Sequence, residues 1–349
     1  MCAKLNIVPD LGPRGDHELA AMGKHVLPSE TELLTTCRQA EPDNGPTLFS
    51  QARFINAIVQ SMGDSCRAIE LRSEPSQSTV FGVETVHSHG KRSIALAPFG
   101  LYAHPSGSGD LEAAVTDIIR QLKTFSTATF QWSVRFDHSA LAEALVRKGL
   151  PFSRPTTRVL LIKGDYEGSF ANFNSTTRNL VRRVRRDGVL VRRTQDAQDV
   201  KVYYEMHTKL ASEKGTYRFL YPQSMFDELV KLDKDVVFVV AEVQGKIAGG
   251  AWLFRDGDTF LYWHAATDRQ CSRYSPSYAI LDYAIRMAHE EGRKAFNFGA
   301  SSGIDSLEDF KSKWGAEAQC CWHFSWHNPL WRMVQKIRSV WTPRRLYAR

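Results

Sequence analysis

The chain has 349 residues and lacks any long apolar stretch. Its longest purely apolar run is the six residues Val236 to Ala241, far short of the roughly 20 that a membrane-spanning helix needs. The first 27 residues interleave charges, Pro and Gly where a secretory signal carries a continuous apolar core, so the expectation is a cytoplasmic protein. The six Cys, at 2, 37, 66, 271, 320 and 321, include no CxxC pair, and adjacent Cys320 and Cys321 would point to opposite faces of a strand. Neither zinc, nor another metal, nor a disulfide framework is expected from such spacing. Hydrophobic residues at 43% and charged residues at 24% match ordinary globular domains and exclude disorder, collagen and coiled coil. At roughly 150 residues per domain, the length suggests about two domains.

Acid is almost missing from two stretches. Residues 178 to 193 (RNLVRRVRRDGVLVRR) set seven Arg against the single Asp187, and Asn328 to Arg349 holds six basic residues and no acid. Each stretch carries +6, so a net charge of +7 leaves −5 for the remainder. The protein is thus a mildly acidic body with two basic patches, nearly all Arg, the side chain suited to forked contacts with phosphate and carboxylate.

Periodicity is clearest in the second half. Val236 to Val243, Lys246 to Phe254 and Thr259 to Ala266 read as an antiparallel meander turning at Gln244-Gly245 and Asp256-Gly257. A helix from Ser277 to Glu291 follows, then a strand from Ala295 to Phe298. A short helix starting at Ser306, with Asp309 in a capping-box-like position, and a strand from Ala318 to Phe324 complete the unit. The first half repeats the order: helix Leu111 to Leu122, strand Thr129 to Arg135, helix Ser139 to Lys148, strand Thr156 to Ile162. Phe130 and Phe296, Leu141 and Leu307, and Gly149 and Gly315 each stand 166 apart, and the turn glycines Gly90 and Gly257 stand 167 apart. A fixed offset is the mark of duplication. The reading is therefore α/β (α+β), a tandem duplication with mixed sheets flanked by helices. Its divisions are a lead-in at 1–45, a first unit at 46–165, a second at 166–327 and a basic amphipathic tail at 328–349.

Three segments stand out within this order of elements: RNLVRRVRRDGV, GGAWLFRDGDTFLYWHAAT and AFNFGASSGIDSLEDFKSKWGAE, the last with its FKxxWG element. Through them, a meander feeding helix, strand and helix resembles the GNAT acyltransferase fold, and two in tandem resemble the FemABX (FemAB-like, BioF2-like) family. The resemblance implies transfer of an acyl group from an activated carrier to an amine, without a tightly bound cofactor. Both acyl-CoA and aminoacyl-tRNA serve relatives as co-substrate. Acyl-CoA is favoured here, because no insertion is long enough for the helical hairpin of some tRNA-using members. The GNAT pyrophosphate loop, R/QxxGxG/A, lets backbone N–H groups approach phosphate at a helix N-terminus. The corresponding TDRQCSRYSPSYAI has no glycine, and Arg269, Arg273, Ser275 and Ser277 are the donor-binding candidates it leaves.

Amide formation needs a neutral amine, stabilisation of the oxyanion and protonation of the leaving group. Lys311 matches the family position whose ammonium offsets developing negative charge; the alternative is a solvated Lys paired with Glu308 at i, i+3. Near it, Asp305, Glu308 and Asp309 read as helix N-terminal charge. His264 is the candidate proton shuttle. Simple alternation puts it with Phe260 and Tyr262 on one strand face, opposite Leu261, Trp263 and Ala265. For the acceptor, the resemblance and the strand ends suggest Tyr102 in APFGLYAHP, Tyr262, Asn297, Ser301 and Ser302. Arg178, Arg182, Arg185 and Arg186 share a helix face of one sign, which suggests an anionic phosphate ligand on the run Arg178 to Arg193, with Arg178 and Arg182 as further acceptor-binding candidates.

The acceptor implied is a small-molecule or lipid-linked amine of a cell-envelope, polysaccharide or sugar-nucleotide precursor. DNA is not expected. The alternatives are a peptidoglycan-type aminoacyltransferase using aminoacyl-tRNA, a non-catalytic RNA-binding protein, and a scaffold in polysaccharide assembly. Leu330, Trp331, Val334, Ile337 and Trp341 recur at helical spacing among Arg and Lys, which suggests peripheral contact with the inner face of the cytoplasmic membrane or docking on the domain core.

Overall fold

The computed structural model describes residues 47–329 and Met333, apart from 88–91, 108, 125–128, 214–220 and 302–303. The 1–45 lead-in, Ser302, and the tail other than Asn328, Pro329 and Met333 lie outside the described residues.

The first unit opens with helix α1 (Ala52–Met62), whose Phe54, Ile55, Ala57 and Ile58 are buried. The meander β1 (Cys66–Ser73), β2 (Ser78–Val86), β3 (Arg92–Leu96) follows, then α2 (Leu111–Thr124), β4 (Thr129–Val134), α3 (Ser139–Arg147), the two-residue β5 (Phe152–Ser153) and β6 (Thr156–Leu161). The second unit begins with α4 (Tyr166–Asn172) and α5 (Ser175–Arg186), the latter capped by Asn174, whose side chain accepts from Thr176 N–H at 2.8 Å. Next come β7 (Leu190–Thr194), α6 (Ala197–Glu213), α7 (Gln223–Leu229), β8 (Val236–Val243), β9 (Lys246–Asp256) and β10 (Thr259–Thr267). The unit ends with α8 (Pro276–Glu290), β11 (Ala295–Ala300), α9 (Asp305–Ser312), β12 (Glu317–Cys320) and β13 (Trp322–His327). Helix α9 begins at Asp305 with no side-chain cap, so the capping box expected at Ser306 does not form, and Asp309 instead pairs with Lys313.

The strands form two mixed sheets, in the orders β1-β2-β3-β4-β13-β5 and β12-β6-β11-β10-β9-β8-β7. Each unit therefore gives its last long strand to the other's sheet. The boundary drawn at 165/166 follows the chain but does not separate the sheets, because β6 lies between β11 and β12 while β13 lies between β4 and β5. The exchange is reciprocal, and its two strands start 166 residues apart, at Thr156 and Trp322. The single strand expected over Ala318 to Phe324 is likewise two strands in different sheets, parted at Cys321. Cys321 N–H donates to Pro155 O at 2.9 Å, which pins the crossing point beside the start of β6.

One face of the second sheet packs on α4, α5 and α8, with Val237, Val239, Ala251, Leu253, Phe260 and Phe296 against Ile280, Leu281, Ala284 and Ile285. The other face meets α6, α7 and the first unit. There Phe49, Phe54 and Phe254 pack edge to face with centroids 5.3–5.6 Å apart. Fully burying each such ring contributes about 1.5–3 kcal/mol. A buried ionic knot ties the units as well: Arg135, at the end of β4, binds Asp256 Oδ2 at 2.6 Å and Asp137 Oδ1 at 2.6 Å. Asp256 also accepts from Leu48 N–H at 2.7 Å.

Candidate active site

Strands β10 and β11 pair in parallel only through Thr259↔Ala295, Phe260↔Phe296 and Leu261↔Asn297. Beyond that each continues with its outer neighbour alone, β10 with β9 as far as Thr267 and β11 with β6 at Ala300. Two irregularities end their pairing. On β10, Tyr262 pairs with Leu253 and His264 with Trp252, leaving Trp263 as the extra residue of a bulge. On β11 the register shifts between Asn297 and Ala300 around Gly299, which has φ +72° and where a Cβ would stand 2.8 Å from Tyr262 O. The central parallel pair thus opens into a splay beyond its short ladder.

Lys311, from α9, lies against the β11 side of this opening. It is 4% exposed, and its Nζ donates to Gly299 O at 2.7 Å and Ala300 O at 3.0 Å, the backbone that ends β11. Burial lowers its pKa to about 8, with Glu308 acting weakly in the other direction. The solvated Lys311–Glu308 pair is therefore not formed; Glu308 binds Arg158 of β6 at 2.6 Å. An ammonium bonded to two carbonyls retains a third N–H, so the side chain can offer positive charge and a donor at the splay.

Tyr102 and Asn297 meet across the interface between the units. Phe296 and Phe298 turn to the α8 side of the sheet, which leaves Asn297 facing the first unit, fully buried. Its Oδ1 accepts from Thr157 Oγ1 at 2.7 Å and Gly299 N–H at 2.8 Å, and its Nδ2 donates to the Tyr102 phenol at 3.4 Å. Cys321 Sγ donates to the same phenol at 3.6 Å. Tyr102 is placed by its neighbour Ala103, whose N–H donates to Ser133 O at 2.9 Å and whose carbonyl accepts from Trp132 Nε1 at 2.9 Å. Burial raises the Tyr102 pKa well above its ordinary value, so the phenol stays protonated. Ser301 is buried at the end of the same strand. The structure thus gathers Lys311, Asn297, Ser301 and Tyr102, with Thr157 and Cys321 added by the strand exchange.

The bulge corrects the reading of β10's faces. Because Trp263 is extra, His264 lies on the same side as Leu261 and Trp263, among Tyr203, Phe226 and Trp263, while Ala265 joins Phe260 and Tyr262 on the opposite face. The Tyr262 ring packs against Phe296 and is not brought to Tyr102 and Asn297. His264 is neutral, since burial and the neighbouring His207 lower its pKa to about 3. That disfavours its expected role as a proton shuttle near neutral pH.

The loop from β10 to α8 is a 3₁₀ turn, Arg269–Tyr274, held by Asp268, and Ser275 at φ +52° turns the chain into α8 without a side-chain cap. Ser277 is the second residue of that helix. Arg269 pairs with Glu213 at 3.2 Å, and Arg273 bonds the Tyr274 hydroxyl at 2.8 Å and lies over its ring. Helix α5 packs on α8, and Arg183 Nη2 donates to Arg273 O at 2.8 Å, so the Arg run borders this loop. Part of the run has internal partners. Arg178 bonds the Ala171 and Phe173 carbonyls, and Arg185 is bound to Asp282 at 2.7 Å and to the Tyr166 hydroxyl at 2.8 Å. Arg192 is clamped between Asp199 and Glu242, each at 2.7 Å. The expected four-Arg face of α5 is therefore not wholly available to a ligand: Arg182 and Arg186 are exposed on it with Arg183 beside them, but Arg183 and Arg186 share Asp187 at 3.2 and 3.4 Å. Sequence reasoning passed over Tyr203 and His207 of α6, although Gly249-Gly250 in β9 signals a close approach; a Cβ on Gly250 would stand 2.8 Å from the Tyr203 ring.

Among the described residues no group of three or more His, Cys, Asp or Glu side chains could hold a metal ion, and no helix is long and apolar enough to cross a membrane. Residues 171–312, which contain the splay, Lys311 and the basic loop, match the acetyltransferase (GNAT) domain family. A comparison with curated protein sequences gave no match. Among solved structures, the chain is similar to FemX, with a TM-score of 0.64 and 14% identity over 82% of this chain and 94% of that one. It is also similar to L-PGS from Bacillus licheniformis, with a TM-score of 0.54 and 12% identity over 83% and 91%. A third likeness is to the C-terminal domain of a putative lysylphosphatidylglycerol synthetase from Agrobacterium fabrum, with a TM-score of 0.52 and 16% identity over 83% and 92%. Residues 171–312 thus match the acetyltransferase (GNAT) domain family, and the chain as a whole is similar in fold to FemX.

Proposed function

We propose that the protein moves an acyl group from acyl-CoA, in preference to aminoacyl-tRNA, to an amino group of a cell-envelope, polysaccharide or sugar-nucleotide precursor. The observation that carries this reading is the β10/β11 splay with a buried, positively charged Lys311 at its end. In the reaction the neutral amine attacks the thioester carbon, the C–N bond forms, and negative charge develops on the carbonyl oxygen. The C–S bond then breaks, the amine nitrogen loses a proton, and the thiolate takes one up, so that none is gained or lost overall. A fixed ammonium beside the developing oxyanion lowers that barrier, because it strengthens as charge builds and needs no reorientation. The exposed Arg182, Arg183 and Arg186, with Arg269 and Arg273 of the adjoining loop, suit the donor's phosphates. The acceptor enters from the side where Tyr102 and Asn297 join the units. The basic amphipathic tail is assigned a peripheral membrane contact, which brings a lipid-linked acceptor within reach; deletion from Asn328 should abolish binding to anionic liposomes.

Mass spectrometry of the purified protein with a panel of acyl-CoAs and charged tRNAs tests the donor. Binding and consumption of an acyl-CoA is the expected result. Consumption of charged tRNA alone would instead establish the aminoacyl reading, and consumption of neither would overturn both.

A further inference from the structure

His264 sits in an aromatic cluster that the proposed chemistry does not otherwise use. Its Nδ1 is hydrogen-bonded to the Tyr203 hydroxyl, and its ring stands perpendicular to that of His207 at 4.4 Å. Tyr221, Phe226 and Trp263 complete the surround, and Phe99 of the first unit packs on Tyr221 and Trp263. Phe99 is held at φ +63° and Ala97 at φ +65°, a backbone conformation that an aromatic residue adopts only where its surroundings impose it.

The direction of the Tyr203–His264 bond follows from burial. Tyr203 is fully buried, packed over Gly250, and its hydroxyl has no second hydrogen-bond partner among the described residues. If Nδ1 donated, the phenolic proton would be left buried without an acceptor, which costs about 1–3 kcal/mol. If the phenol donates, only an oxygen lone pair goes unused. The phenol therefore donates, Nδ1 accepts, and the single proton of the neutral imidazole sits on Nε2. Nδ1 faces a fully buried residue and His264 itself is part-exposed, so the edge left for a ligand is the one bearing Nε2. Trp263, Tyr221 and Phe99, all part-exposed, flank it at the boundary between the units.

We propose that His264 is a fixed hydrogen-bond donor for an oxygen atom of a ligand bound where the two units meet, and that Tyr203 is the positioning residue that sets its tautomer. The subsite takes a carbonyl, hydroxyl or carboxylate oxygen against an aromatic wall, and not the amine that is acylated. The assignment of a ligand to this boundary rests on the acyl-transfer reading, but the tautomer is measured without any substrate, so the two can fail separately.

The test is a long-range ¹H–¹⁵N correlation spectrum of the full-length, histidine-labelled protein at neutral pH, with His264 assigned from its absence in His264→Gln. The wild type should show a neutral, Nε2-protonated ring, and Tyr203→Phe should give a mixture of tautomers. A Nδ1-protonated or imidazolium ring in the wild type, or an unchanged tautomer in a folded Tyr203→Phe, would overturn the proposal. The wild-type spectrum decides the first point even if Tyr203→Phe does not fold. In acyl transfer, His264→Gln, which restores an N–H donor, should stay within about tenfold of wild type, while His264→Leu should lose about 100-fold in kcat/KM. Equal activity of the Leu variant would contradict the donor role.

Discussion

Lys311 makes a quantitative prediction about stability that does not require the substrate. Its pKa falls from an ordinary 10.5 to about 8 because the ammonium is buried. Between those values the unfolded chain binds more protons than the folded one, so stability rises with pH. At pH 7 both states hold the proton and the full burial cost is present. At pH 9.5 the folded side chain has largely lost its proton while the unfolded one has not. At about 1.4 kcal/mol per pKa unit, the wild type should gain about 2 kcal/mol over this interval from Lys311 alone. In Lys311→Met this contribution vanishes, while every other titrating group is retained and cancels in the difference. Urea unfolding of both proteins at pH 7 and pH 9.5, with slopes checked for equality, measures it. The wild type should gain about 2 kcal/mol relative to the variant on going to the higher pH. A difference that stays flat, or falls as pH rises, would refute the claim that a buried ammonium lies at the splay.

The other predictions concern the interface and the basic surface. Asn297→Ala leaves the Thr157 hydroxyl and Gly299 N–H without their acceptor and should destabilise by about 2–4 kcal/mol in urea unfolding. Residues 46–165 and 166–327, produced separately, should not fold alone, because each sheet lacks the strand supplied by the other; circular dichroism of the separate and mixed halves checks this. Arg182→Glu with Arg186→Glu should raise the KM for the acyl donor about tenfold, with thermal stability nearly unchanged because both side chains are exposed, and added salt should weaken the wild type in the same direction.

Much of this fold is legible in the sequence because a strand alternates and a helix recurs at 3.6 residues, whatever surrounds them. The offset between Phe130 and Phe296 is visible for the same reason, and it recurs between the first residues of β6 and β13. Which sheet a strand joins is not encoded in alternation. Ala318 to Phe324 reads as one strand, and only the turn at Cys321 sends its halves to different sheets. The bulge at Trp263 is equally silent: one extra residue moves His264 to the other face, so a face assignment that counts by twos fails beyond it. Lys311, Tyr102, Asn297 and Ser301 could be named because they sit at strand ends or in a family element. Thr157, Cys321 and Tyr203 could not, because their relevance arises from contacts between segments distant in sequence. The Arg run illustrates the converse. Its single sign suggested a ligand face, yet Arg185 is bound to Asp282 and Arg192 to Asp199 and Glu242, partners contributed by other elements.

The central claim is that the splay beside Lys311 is where the acyl group is transferred. Its most direct test is the rate of amide product formation by wild type and Lys311→Met with the donor that the panel identifies, measured by mass spectrometry at saturating donor. The account predicts an amide product in the wild type and a loss of 100-fold or more in the variant. Equal turnover in a folded Lys311→Met protein would contradict it.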